Sequence, residues 1–246
     1  VAVHELRLND FSGVSMTGKS AIIIGANGGI GRALADELAS RDGFTVVHRL
    51  SRNSAPPVDL CEEQSIANAA EEIESAEAPP SLIIVATGVL HSKDKGPEKS
   101  LRELDPDWML ENFRINTVGP ALVAKHFLPL MPRSGRTCLA ILSARVGSIS
   151  DNRLGGWHSY RASKAALNML VRNIAIEWQR RNPDAIIVGL HPGTVETPLS
   201  APFKGNPAHE RFAPSQAAKQ LLDVLDALNP AHSGQLFAYD GTLVAP

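Results

Sequence analysis

The chain has 246 residues, 43 % of them hydrophobic, enough to bury the core of one sizeable α/β domain. A net charge of −2 with scattered Lys and Arg leaves no electrostatic footprint for nucleic acid or an acidic membrane surface. No apolar run approaches the roughly 20 residues of a membrane span, so neither partner is expected.

Residues 1–16 precede the first recognisable strand and carry no basic-then-apolar leader pattern. They read as an N-terminal extension, with the domain expected over residues 17–246. Thr17-Gly18-Lys19-Ser20 ends like a phosphate-binding loop, yet it comes before the strand and lacks the upstream glycine, so it reads as a turn. Residues 20–24 form an apolar strand that stops at the turn Gly25-Ala26-Asn27-Gly28-Gly29-Ile30-Gly31. Ile30, Ala33, Leu34 and Leu38 then recur at helical spacing. Residues 44–50 read as a second strand, 58–60 as a short third, 62–76 as a helix and 82–85 as a fourth strand. Long helical patterns cover 107–130, 158–181 and 214–228, with buried strands at 138–142 and 185–190 and a seventh near Phe237 and Ala238. Such alternation predicts a single doubly wound Rossmann-type α/β domain, with a mainly parallel seven-stranded sheet and helices on both faces.

Glycines directly after a first strand let the backbone approach a pyrophosphate, and the next helix offers free N–H groups and its positive end to that charge. The side chain that reads the adenosine ribose is expected about 20 residues further on, where Ser51 and Arg52 stand. No carboxylate occurs in residues 43–58 to grip a bare 2′-hydroxyl or repel a 2′-phosphate, and Arg52 offers a planar fork for that phosphate. NADP(H) is therefore favoured over NAD(H), although Gly28 is not basic and a merely solvated Arg52 is the competing reading. Cys61 and Cys138 are far apart and form no Cys-x-x-Cys, which suits a reducing, cytoplasmic setting. The histidines show no His-x-x-x-His pair, so no metal is expected.

Tyr160 and Lys164 lie four apart at the start of an amphipathic stretch, hence on one helix face. A free tyrosine has a pKa of about 10, and a nearby ammonium favours its ionised form. Downstream of a dinucleotide turn, the pair reads as a proton donor with its cation. Taken by itself it is equally an ordinary surface pair. Pro120 lacks an N–H, so a helix there leaves the carbonyl of Asn116 without its usual partner and should bend.

The spacing Gly-x-x-x-Gly-x-Gly, the run Tyr160-Arg161-Ala162-Ser163-Lys164 and the turn His191-Pro192-Gly193-Thr194-Val195-Glu196-Thr197 together resemble the short-chain dehydrogenase/reductase family. Residues 147–157, and on to Asn168, are most similar to its C-factor and sniffer-like carbonyl reductase branch. The resemblance implies hydride transfer between NADP(H) and a carbonyl or secondary alcohol, with Tyr160 as general acid/base, Lys164 holding the nicotinamide ribose and Asn116 joining a proton relay through water. It implies cofactor contacts from Gly25, Asn27, Gly28, Gly29, Ile30 and Gly31, from Asp59 and Leu60 near the adenine, and from Ala86 and Gly88. Pro192, Gly193, Val195 and Thr197 would surround the nicotinamide. It also implies a substrate lid over residues 199–212 and a homodimer or homotetramer built on the helices at 107–130 and 158–181. The family's Ser-Ser-x-x-Gly run stands here as Ser143-Ala144-Arg145-Val146-Gly147, so the usual catalytic serine is replaced by Ala144. Ser143 is the preferred substitute and Ser148 the other candidate. That loss also leaves room for a second reading, a dinucleotide-binding signalling or regulatory protein with weak or lost catalysis.

Overall fold

A computed structural model describes residues 19–75, 78–203 and 211–246. The expected extension, residues 1–16, and the middle of the expected lid lie outside the described residues. Seven strands form one sheet in the order β2-β1-β3-β4-β5-β8-β9. They are β1 Ser20–Ile24, β2 Val46–Leu50, β3 Pro80–Val85, β4 Thr137–Leu142, β5 Ala185–His191, β8 Leu236–Ala238 and β9 Leu243–Val244. All pairs are parallel except β8 with β9. A separate two-strand ladder joins β6 Thr194–Val195 to β7 Arg211–Phe212.

The central strands are continuous apolar runs because both faces are covered. Ile83 and Val85 face one core cluster and Leu82 and Ile84 the other, as period-two alternation requires. Helices α2 Glu63–Glu74, α4 Gly119–Phe127 and α5 His158–Trp178 contribute to the first cluster. Helices α1 Gly29–Ser40 and α6 Pro214–Ala227 contribute to the second. Fully burying a Leu or Ile stabilises by about 1.5–3 kcal/mol, so these two layers hold the sheet rigid under the loops at its carboxyl ends. Between β1 and β3 the chain's direction of winding reverses, which opens a crevice outside those ends.

Two expected elements differ. Residues 58–60 form no strand, although Val58 and Leu60 are buried in the first cluster. They follow Pro56 and Pro57, which have no N–H to donate, and the edge strand β2 offers them no ladder. The seven-strand count is completed instead by β9, which pairs after the turn at Asp240-Gly241. The long helix over 107–130 is divided into α3 Pro106–Phe113, a π-helical turn Arg114–Val118 and α4. Gly119 N–H donates to Arg114 O, the widened turn that Pro120 imposes on the ladder at Asn116.

Candidate active site

Strand β1 ends at Gly25, whose φ of +88° is the left-handed conformation glycine tolerates. Gly28 N–H closes the turn on Gly25 O at 2.9 Å, and α1 starts at the next residue. Gly28 gives this helix no side-chain cap, and its first turn carries no acid, so the orphan N–H groups and positive end remain free for an anion. A Cβ at Gly31 would lie 2.2 Å from Gly25 O, and one at Gly29 would lie 2.7 Å from Thr197 Cγ2. Glycine is thus required for the turn itself at Gly31 and for the approach of Thr197 at Gly29. Gly31→Ala should open the turn and weaken binding of a pyridine dinucleotide by at least about tenfold, the loss of one charge-assisted hydrogen bond. Titration of the purified variant checks this, and a native dissociation constant would contradict it.

Two lobes of one cleft meet over this turn, sharing Asn27, Gly28, Ala86, Thr87 and Gly88. The larger, about 500 Å3, is bordered by Gly25, Ser51, Arg52, Asp59 and Leu60. Asn27 Nδ2 donates to Ser51 Oγ at 2.8 Å, joining the glycine turn to the end of β2. Asp59 accepts the Cys61 N–H at 2.9 Å. Arg52 is exposed, and among the described residues no carboxylate pairs with it. The smaller lobe, about 250 Å3, is bordered by Gly29, Ile30, Tyr160, Lys164, Pro192 and Thr197. Gly31, Gly193 and Val195 do not border either lobe. Gly193 is turned toward Phe212 and Tyr239, and Val195 is buried against Phe212 in the β6–β7 ladder that carries Thr197. Thr87 and Leu199, the first residue of the expected lid, also border the cleft, as do Leu142 and Pro198, which the sequence motifs did not single out.

Tyr160 sits in the first turn of α5 and Lys164 one turn later, both buried. Lys164 Nζ donates to Leu142 O at the end of β4 at 2.9 Å and lies 5.9 Å from the Tyr160 ring centre. Burial pushes the phenol up to about 12 and the ammonium down to about 7. At this separation, removal from water outweighs the expected lowering of the tyrosine by its neighbour. Asn116 acts through its side chain: Oδ1 accepts Val89 N–H at 2.8 Å, while Nδ2 donates to Val89 O at 2.9 Å and Ser163 Oγ at 3.1 Å. Ser163 Oγ in turn donates to Tyr160 O at 2.8 Å, so the π-helical turn is tied to the tyrosine's own helix. A Cβ at Gly88 would fall 3.3 Å from Asn116 Oδ1 and 3.6 Å from Lys164 Nζ, which places both residues around that glycine.

The two candidate serines lie in different places. Ser143 borders the cleft, but its hydroxyl donates to Asn168 Oδ1 at 2.6 Å on the α5 side of β4. In this arrangement its single proton is directed to Asn168 and away from the cleft. Ser148 is buried elsewhere, its hydroxyl directed to Pro246 O at 3.3 Å. Ala144 is the residue that packs with Tyr160 and Leu90, beside Val146, Trp157 and Phe203. Trp157 stands 6.3 Å from Tyr160 and 5.3 Å from Phe203, and His91 meets Phe203 at 5.7 Å, an aromatic group that reaches the smaller lobe through Tyr160. Among the described residues no group of three His, Cys, Asp or Glu could hold a metal ion, and no helix is long and apolar enough to cross a membrane.

Comparison with known proteins matches residues 19–207 to the family model described as short chain dehydrogenase. A 1-hydroxy-2-glutathionyl-2-methyl-3-butene dehydrogenase of Rhodococcus sp. (strain AD45) is 29 % identical over 235 residues, covering 92 % of this chain and 98 % of that protein. The C-signal protein of Myxococcus xanthus is 37 % identical over 145 residues, 59 % of this chain and 82 % of that protein. Among solved structures, the NADPH-bound carbonyl reductase from chicken fatty liver has a TM-score of 0.79 at 24 % identity, covering 93 % of this chain and 99 % of that one. The Sniffer carbonyl reductase of D. melanogaster has a TM-score of 0.77 at 23 % identity, covering 93 % and 100 %. These two share the fold.

Proposed function

The chain belongs to the short-chain dehydrogenase family and is an NAD(P)-dependent oxidoreductase, and from that premise we propose that it interconverts a carbonyl and a secondary alcohol using NADP(H), with Tyr160 as the general acid/base. The observation that carries this reading is the shared cleft. Its inner lobe holds the buried Tyr160 and Lys164, and its outer lobe ends on the glycine turn and an unpaired Arg52. The free N–H groups at the start of α1 and the glycines that a Cβ would crowd fit a pyrophosphate. Ser51 and Arg52 would hold the 2′-phosphate, Asp59 and Leu60 would border the adenine, and Ala86 and Gly88 would line the path between. Pro192 and Thr197 would flank the nicotinamide, and Lys164 would hold its ribose hydroxyls.

NADPH bound there supplies the hydride. The protein's own part is to orient the carbonyl against Trp157 and Phe203, exclude water, and deliver the Tyr160 hydroxyl proton to the developing alkoxide. With Ser143 facing Asn168, the phenol is both proton donor and the hydrogen bond that polarises the carbonyl. Asn116 positions this machinery by fixing Val89 and Ser163. The substrate is a small-molecule carbonyl or alcohol. Homodimeric or homotetrameric assembly and a cytoplasmic setting belong to the same reading, supported by exposed Leu110, Val118 and Met169 on the expected helices and by two free cysteines.

Cofactor choice is tested with Arg52→Ala. A charged hydrogen bond contributes about 1.5–3 kcal/mol, so the NADPH KM should rise by about tenfold or more while that for NADH stays unchanged. Equal effects on both coenzymes would contradict the NADP(H) assignment. A signalling or regulatory role with lost catalysis is the second reading, favoured by Ala144 at the tyrosine and by the engaged Ser143 hydroxyl. Tyr160-dependent turnover on a panel of aldehydes and ketones would exclude it.

A further inference from the structure

Glu98 is 2 % exposed, stands in the loop between β3 and α3, and among the described residues has no cationic partner. Such a carboxylate is costly to bury unless something replaces its hydration. Its replacement is the N-terminus of α5. Oε2 accepts Ser159 N–H at 3.2 Å and Oε1 accepts the Ser159 hydroxyl, immediately before Tyr160. The Glu98 carbonyl oxygen also accepts the N–H of Trp157. Trp157 occupies the N-cap position of α5 but gives it no side-chain cap, and it has φ +52°, a conformation uncommon for a bulky residue. Gly155 and Gly156, at φ +62° and +63°, lead into it, and a Cβ at Gly156 would lie 3.4 Å from Glu98 O.

We propose that Glu98 is a positioning residue, capping the helix of Tyr160 from a distant loop while its main chain holds Trp157 in the left-handed conformation that sets the substrate wall. One residue thereby fixes both the proton donor and the ring facing it. The carboxylate satisfies one orphan donor of the first turn, the Ser159 N–H, and complements the positive end of the helix. Neither task touches the glycine turn or the outer lobe, so the seat of the cofactor's phosphates is independent of it. The inference rests on the reading of Tyr160 as the acid.

The test compares native enzyme, Glu98→Ala, Glu98→Gln and Tyr160→Phe with NADPH and one apolar aldehyde. Misplacement of a reacting group by about 1 Å costs on the order of 100-fold. Glu98→Ala should therefore lose kcat on that scale and raise the KM for aldehyde, with one NADPH still bound per chain at saturation. That stoichiometry separates displacement from a misfolded fraction. Glu98→Gln retains an acceptor for Ser159 and should recover most of the rate. Native turnover by Glu98→Ala, or a Gln variant as slow as the Ala variant, overturns the proposal. Should the Ala variant fail to bind NADPH stoichiometrically, Ser159→Ala, which loses the hydroxyl half of the contact, decides: a native kcat and aldehyde KM there would overturn it. If Tyr160→Phe turns over normally, the reading of the acid fails instead, whatever Glu98 does.

Discussion

Tyr160→Phe should reduce carbonyl turnover by about 10²- to 10⁴-fold, the usual contribution of general acid catalysis, while leaving NADPH affinity and thermal stability near native. The change deletes one oxygen. Among the described residues the Tyr160 hydroxyl has no hydrogen-bond partner, so its removal leaves no buried donor or acceptor unsatisfied, and the ring keeps its contacts with Leu90, Ala144 and Trp157. The nearest serine hydroxyl, that of Ser143, is directed to Asn168. Burial that pushes the phenol up to about 12 keeps it protonated at neutral pH, ready for reduction. Alcohol oxidation needs the phenolate, so its rate should climb with pH through the alkaline range in the native enzyme and stay flat in the variant. Steady-state rates in both directions check both statements.

Lys164→Met should cost about 10²- to 10³-fold in turnover, the scale seen when a polar group that stabilises developing charge is removed. It should also weaken NADPH binding by about tenfold or more, through loss of a charged hydrogen bond to the ribose. Stability is expected to move the other way. The variant leaves Leu142 O without its donor, at a cost of about 1–3 kcal/mol, but it removes a buried ammonium whose penalty is several kcal/mol. The second effect is larger, so the melting temperature at pH 7 should be at least native. Burial lowers the lysine from 10.5 to about 7 in the folded protein. Between those values the unfolded chain binds more protons than the native one, so this residue makes native stability rise with pH across that window. The Met variant should lose that increment. Melting curves from pH 7 to 10 check the sign, and an identical pH dependence in the two proteins would refute the burial assigned to Lys164.

The doubly wound sheet was legible because its strands are apolar runs and its helices carry long periodic faces. Tyr160, Lys164 and the glycine turn were legible because their chemistry depends on local spacing. What stayed hidden depends on tertiary partners. The apolar residues at 58–60 are buried as their composition demands, yet the edge of the sheet denies them a ladder. Pro120 correctly signalled a disturbed helix at Asn116, but not that the side-chain amide would bridge Val89 and Ser163. Strand alternation warned that Ser143 and Ala144 face opposite ways, but not that the Ser143 hydroxyl would meet Asn168, 25 residues on, while Ala144 packs on the tyrosine. Lys164 meets a main-chain carbonyl at Leu142, and main-chain groups leave no trace in composition. Glu98 caps a helix 61 residues away, a contact that no local pattern announces.

The most direct measurement is a crystal structure with NADP bound and a slow alcohol or inert ketone soaked in. The predicted result has the Tyr160 oxygen within hydrogen-bond distance of the substrate oxygen, Lys164 Nζ on the nicotinamide ribose and the 2′-phosphate on Arg52. A nicotinamide ring seated away from Tyr160, or a substrate oxygen bound by another donor, would contradict it.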